Sequence, residues 1–158
     1  MFRKFRREKN VISVEEAKLL LKDSRRGVLA VNGDNGYPYA IPVNYLYDAE
    51  NNKIYFHGAR VGHKIDSLKA SDKVCFTVCG PETIKAESWA PFVKSTLVFG
   101  RCHLMENNEQ SIALLKQFAM KYYPSETLVD EAVAAAGKAT QMFEIEIEHV
   151  TGKEVQEK

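Results

Sequence analysis

The chain has 158 residues, 45% of them hydrophobic and 27% charged, and a formal net charge of +1. That length suits one domain with a single core, the composition excludes a disordered chain, and the balanced charge supplies no global field to draw nucleic acid or a membrane. No apolar run approaches the roughly 18 residues of a membrane span, and the basic start MFRKFRREKN leads into a polar helix pattern rather than a secretory signal, so the expected location is the cytoplasm.

Behind a basic arm (1–12) comes SVEEAKLLLKDS. Ser13 and Glu16 have capping-box spacing, and Ala17, Leu20 and Leu21 form a stripe, which predicts a helix over Val14–Asp23. RGVLAVNGDNGYPYAIPVNYLYD then reads as two strands joined through Asn32-Gly33-Asp34-Asn35-Gly36, a hairpin signal. In the second strand Tyr37, Tyr39, Ile41, Val43, Tyr45 and Tyr47 share one face. Pro38, Ala40, Pro42, Asn44 and Leu46 share the other, a small-residue surface with room for something flat. The prolines cannot donate to a ladder and mark an edge or a bulge.

KIYFHG is a third strand, followed by a short helix from about Gly62 with Ile65 and Leu68 inward, and KVCFTVCG is a fourth. PETIKAESWAPFVK reads as irregular and KSTLVFGRCHLM as a long fifth strand. ENNEQSIALLKQFAMKYY is an amphipathic helix stopped by Pro124, and SETLVDEAVAAAG adds a shorter one. TQMFEIEIEHV alternates strictly, with Phe143, Ile145 and Ile147 inward, and leaves 151–158 as a tail. The sum is a mainly β, single-domain chain: a six-stranded antiparallel barrel with peripheral helices.

Cys75, Cys79 and Cys102 are an odd set, which argues against a disulfide framework. On one strand, Cys75 and Cys79 stand about 13 Å apart, too far to bridge. Buried apolar packing is the simplest role for all three. The four histidines lack the close Cys or carboxylate partners of a metal site.

The chemistry concentrates in YFHGARVGHKIDSL. A helix N-terminus offers free N–H groups and the positive end of a dipole. With Arg60, His63 and Lys64 beside it, and Gly58 and Gly62 allowing close backbone approach, this turn is a candidate anion cradle, above all for phosphate. A solvated surface turn is the competing reading. His57, at the end of an apolar strand, is either a hydrogen-bonded wall residue or a functional group. Trp89 has three readings: stacking on a planar ligand, a subunit contact, or core.

Taken in order, YAIPVNYLYD, YFHGA, GHKIDSLKAS, KVCFTV and STLVFGRCHLM resemble the pyridoxamine 5′-phosphate oxidase-like FMN-binding split barrels, and within them the nitroimidazole-reductase-like (Nim-type) branch. The likeness runs from about Arg6 to Val150; its middle phrases are specific and its C-terminal third is generic. It implies a six-stranded split barrel and a homodimer with FMN at the subunit interface. By this resemblance Ile41, Pro42, Val43 and Asn44 run along the flavin ring, offering mainly backbone groups. Phe56 and His57 end the next strand under the ribityl chain. The turn Gly58-Ala59-Arg60 leads to His63 and Lys64, which hold the phosphate. Ser95 contributes a polar contact from the second subunit, and Trp89 joins the cofactor-binding set. The C-terminal arginine and histidine elements that hold the vitamin substrate in the oxidases proper are missing, which argues against vitamin oxidation.

The first functional expectation is therefore an FMN-dependent oxidoreductase that reduces a small electron-poor molecule, for example a nitro compound, with His57 as proton donor or substrate contact. A haem-binding or haem-degrading split barrel, drawing on His57, His103 or His149, is the alternative within the fold. A flavin store or sensor, or a regulatory module using Arg3, Lys4, Arg6, Arg7 and Lys9, is the alternative of another class. Near-zero net charge speaks against nucleic acid as a partner.

Overall fold

The computed structural model describes residues 1–157. The elements run α1 (Val14–Asp23), β1 (Arg26–Asn32), β2 (Pro38–Asn44), β3 (Leu46–Asp48), β4 (Lys53–Gly58), α2 (His63–Ala70), β5 (Lys73–Thr83), β6 (Phe92–Leu104), α3 (Glu109–Met120), α4 (Glu126–Ala136) and β7 (Gln141–Gln156). The strands form one antiparallel sheet in the order β2-β1-β5-β6-β7-β4-β3. Its two edges, β2 and β3, are consecutive in the chain and separated only by Tyr45. The sheet therefore curls until its edges nearly meet, which is a split barrel.

This gives seven strands where the sequence reads six. The sequence runs 37–47 as one strand because alternation persists: Tyr45 and Tyr47 are buried on the face where Tyr39, Ile41 and Val43 are half-buried. What breaks the strand is a side chain from elsewhere. The Tyr122 hydroxyl accepts from the Tyr45 amide at 2.8 Å and donates to its carbonyl at 2.6 Å, so Tyr45 leaves the ladder and the chain crosses from one edge to the other. Pro38 and Pro42 fit because β2 is an edge.

α1 starts where its capping box places it: the Glu16 amide donates to Ser13 Oγ and the Ser13 amide to Glu16 Oε2. It buries Ala17 and Leu21. The β1–β2 turn is tight, with Asn35 and Gly36 at positive φ. β5 continues through Gly80-Pro81 to Thr83 by way of a bulge, and β6 begins at Phe92, so the irregular stretch shrinks to 84–91.

The expected tail is mostly strand. β7 pairs with β6 as far as Gln156, six residues beyond Val150. A bulge between Phe99 and Gly100 of β6 leaves Glu148 as an extra residue on β7. Before it Phe143, Ile145 and Ile147 face inward; after it the phase changes and Gly152 is buried, against Ile12 and Ala17. Alternation, the signal that marks the strand in the sequence, fails at that point although pairing continues. The N-terminal arm lies over this end: the Ile12 amide donates to the Gly152 carbonyl, and Phe2 stacks on His149 at 4.7 Å and on Phe99 at 5.3 Å.

The barrel interior is filled by Leu29, Tyr45, Ile54, Phe56, Phe76, Val98, Phe143 and Ile145, all fully buried. A second cluster, Tyr55, Leu115, Phe118 and Met142, seals α3 to the outer face of β4 and β7. No helix among the described residues is long and apolar enough to cross a membrane.

Candidate functional site

β4 ends at Gly58 and the chain turns through exposed Ala59, Arg60 and Val61 into α2. The residue before the helix, Gly62, has φ +123°, a conformation L side chains rarely adopt, so the turn depends on glycine. His63 stacks on the Tyr39 ring at 4.1 Å, and its Nε2 lies 3.5 Å from an Asp34 carboxylate oxygen. The β1–β2 turn and the start of α2 thus meet around this imidazole.

Lys64 turns the other way. Its ammonium stands 4.9 Å from the Phe143 ring centroid and 5.3 Å from that of Phe56, rings that stack on each other at 4.6 Å. It lies so close to Gly58 that a β-carbon there would be 2.6 Å from Nζ. Among the described residues it has no carboxylate partner. Burial pushes its pKa below the ordinary lysine value. Lys64 is thus a half-buried ammonium on an aromatic floor at the first turn of a helix, with no counter-ion among the described residues.

His57 points away from the core side chain Phe56, to the outer face, where its ring meets Phe118 of α3 edge-on at 4.8 Å. Burial lowers its pKa below the ordinary histidine value, and the Lys64 charge adds to the effect. Phe118 in turn packs on Tyr122 at 5.0 Å, so a run of rings leads from His57 to the β2–β3 crossing.

On β2, Ile41 and Val43 pack on the core while Pro38, Ala40, Pro42 and Asn44 are exposed, as the alternation requires. Asn44 Oδ1 accepts from Arg26 Nε at 3.2 Å. This surface continues across the sheet through exposed Val28 and part-exposed Ala30, Cys75, Thr77 and Leu97, as far as Phe99, which Phe2 covers.

The structure thus gathers Gly58, Ala59, Arg60, His63 and Lys64 at one turn, with His57 and Phe56 on the strand leading into it. Phe56 is fully buried, so only its backbone is available to a ligand. Ser95 and Trp89 stand apart. Ser95 lies on β6 opposite Cys79, three ladder steps or about 14 Å from β2. Trp89 sits in the β5–β6 loop and is 79% exposed, which rules out the core reading. Open clefts lie elsewhere, among them one between α3 and α4 (about 720 Å³) and one between α3 and the β3–β4 turn (about 750 Å³). In a single chain the candidate site is open surface.

Sequence reasoning missed Asp34, Tyr39, Phe118 and Phe143 as neighbours of the site. Asp34 lies inside the hairpin signal and Tyr39 shortly after it, so both were within reach of inference. Phe118 and Phe143 read only as core positions of a helix and a strand, because nothing local marks what stands over a buried ring.

Comparisons with known proteins place these observations. The family model described as pyridoxamine 5′-phosphate oxidase matches residues 13–154. No curated protein sequence matches. Among solved structures, a candidate 5-nitroimidazole antibiotic resistance protein from Bacteroides thetaiotaomicron superposes with a TM-score of 0.77 at 19% identity, covering 92% of this chain and 87% of that one. A FAD-binding protein from Mesorhizobium loti gives 0.65 at 23% identity, covering 92% and 96%. A FAD and haem binding protein from Mycobacterium smegmatis gives 0.70 at 17% identity, covering 96% and 75%. At these identities the structural likeness speaks for the fold.

Proposed function

The chain belongs to the pyridoxamine 5′-phosphate oxidase family, and we propose that it is a flavin-dependent oxidoreductase that binds FMN and reduces a small electron-poor substrate, for example a nitro compound. The observation that carries this reading is Lys64: a half-buried ammonium with no counter-ion among the described residues, at the first turn of α2. A flavin phosphate supplies the missing charge.

The residues present fit such a group. Gly58 leaves the space that Lys64 occupies, and Gly62 makes the tight entry that presents the first N–H groups of α2. His63, held between Tyr39 and Asp34, and Arg60 on the turn complete the cradle. The outward, small-residue face of β2 at Ala40, Pro42 and Asn44 lets a flat ring lie against the sheet, with the strand's free edge offering backbone groups. Backbone contacts at Ile41 and Val43 need no side chain, which agrees with their inward packing.

When bound, FMN would accept electrons from NADH or NADPH and pass them to the substrate. The chain's own part is to orient the ring, shield it, and provide a proton. His57 is the proposed proton donor or substrate contact, because it is the imidazole nearest the anion turn on the outward side of β4.

The part-exposed outer face from Pro42 to Leu97 is where we place a second copy of the chain, which would cover the apolar surface and close the site from above. In that arrangement Ser95 and exposed Trp89, remote from the turn within one chain, are the groups a partner would bring. The solved relatives described as binding FAD or haem keep other prosthetic groups in view. Of the other two histidines a haem would draw on, His149 is covered by Phe2 and His103 is paired across the ladder with Glu144.

The test is the visible spectrum of the purified protein after FMN titration, then anaerobic reduction with NADH or NADPH and challenge with nitroaromatic acceptors. A protein that takes up no FMN overturns the proposal. One that binds FMN but passes no electrons to any acceptor is a flavin store or sensor.

A further inference from the structure

We propose that Lys64 couples the anion site at the start of α2 to His57, so that filling the anion site makes His57 take up a proton. This rests on the flavin reading for the identity of the anion, not for the coupling itself.

The coupling follows from where the ammonium lies. His57 is flanked in the chain by Phe56 and Gly58, and Lys64 packs on both: 5.3 Å from the Phe56 ring centroid, and against the backbone of Gly58. The charge therefore lies just behind the imidazole, with only the strand between them. The titratable groups that share the outer face with His57 are Tyr55 on β4 and, two residues from Met142 on β7, Glu144, whose carboxylate is paired with Lys53 at 3.0 Å. α3 presents Phe118, and β7 presents Met142 opposite and Gln141 beside it. Among the described residues no carboxylate pairs with Lys64 to cancel its charge. The Lys64 side of the strand is apolar, walled by Phe56 and Phe143, while the imidazole itself is open to solvent, so the field is screened on the outer side only.

In the empty site, burial and the Lys64 charge both disfavour imidazolium. An anion beside Lys64 neutralises the second of these, and the proton affinity of His57 rises. Linkage makes the effect reciprocal: protonated His57 tightens anion binding by the same factor, so the affinity for the anion falls as pH rises through the His57 titration. The functional consequence is that His57 would be loaded as an acid preferentially when the cofactor is seated, and would stay neutral in the empty protein.

The experiment is an NMR titration of the His57 ring proton, assigned with His57→Gln, in the full chain alone, with FMN, and with inorganic phosphate. The expected result is an apparent pKa higher by about half a unit or more with either ligand. In Lys64→Met, which keeps side-chain bulk over the rings, the ligand-free pKa is already raised and moves little further. An unchanged His57 titration in ligand-free Lys64→Met overturns the coupling whether or not that variant still binds FMN. So does a wild-type protein coloured by FMN in which His57 titrates as before. If phosphate moves His57 but FMN does not bind, the coupling stands and the flavin reading falls.

Discussion

The Tyr122 hydroxyl holds both backbone groups of Tyr45, accepting from its amide at 2.8 Å and lying 2.6 Å from its carbonyl. It is also 2.6 Å from the Arg25 carbonyl, so its single proton is shared between two acceptors. One side chain at the end of α3 thus stands in for a ladder at the residue where the chain passes between the two edges of the barrel. Tyr122→Phe leaves a part-buried amide and two carbonyls to find new partners. We expect a loss of about 1–3 kcal/mol, read from the urea midpoint of the purified protein with an unchanged denaturant slope.

Beside it, the Lys121 ammonium donates to the Ser24 carbonyl at 2.6 Å and the Tyr45 carbonyl at 3.2 Å and lies over the Tyr45 ring at 4.4 Å. Burial pulls its pKa down to about 8, from an ordinary value of 10.5, with the nearby Arg25 charge adding to the effect. Between those two values the folded chain binds fewer protons at this group than the unfolded chain does, so the group's contribution to stability rises with pH. The difference in unfolding free energy between wild type and Lys121→Met, followed from pH 7.5 to 10, should therefore grow in favour of wild type. A flat difference would show that the ammonium is not desolvated.

How far the sequence carried the fold depends on where the signals were local. The capping box at Ser13, the hairpin at Asn32–Gly36 and the alternation at Phe143–Ile147 each lie within a few residues, and each appears in the structure. The seventh strand and the extension of β7 were not legible because distant partners create them: Tyr122 interrupts β2, and the bulge at Phe99/Gly100 shifts the phase of β7. The site divides the same way. The turn from Gly58 to Lys64 is one phrase of sequence, and its crowding of cations was visible there. That Lys64 would lie inward over Phe143, or that Phe118 would meet His57, depends on contacts across more than fifty residues of chain.

Gly58 separates stability from ligand binding. A β-carbon there meets the flexible end of Lys64 at 2.6 Å, and next Phe143 at a comfortable 3.6 Å. Gly58→Ala should leave unfolding free energy within about 1 kcal/mol of wild type, since alanine restricts the unfolded chain and only the ammonium must move. FMN affinity, followed by fluorescence quenching, should fall at least several-fold because Lys64 is displaced from the cradle. Equal affinity in the two proteins would mean that the position of Lys64 over the rings does not matter to the anion.

The last expectation concerns the bare face of the sheet. Val28 is 37% exposed and sits between Pro42 on β2 and Thr77 on β5, in the middle of the outward apolar surface. Its side chain takes no part in the barrel core, which Leu29 and Val31 fill from the same strand. Val28→Lys should therefore keep the far-ultraviolet circular dichroism spectrum of the wild type. If two copies meet through this face, the substitution places like charges into an apolar contact, and burying even one unpaired ammonium costs several kcal/mol. Light scattering coupled to size exclusion should then report a dimer for wild type and a monomer for Val28→Lys. FMN retention should fall with dimerisation, because the groups assigned to the partner, Ser95 and Trp89, would no longer reach the ring. A variant that stays dimeric would move the interface to another surface.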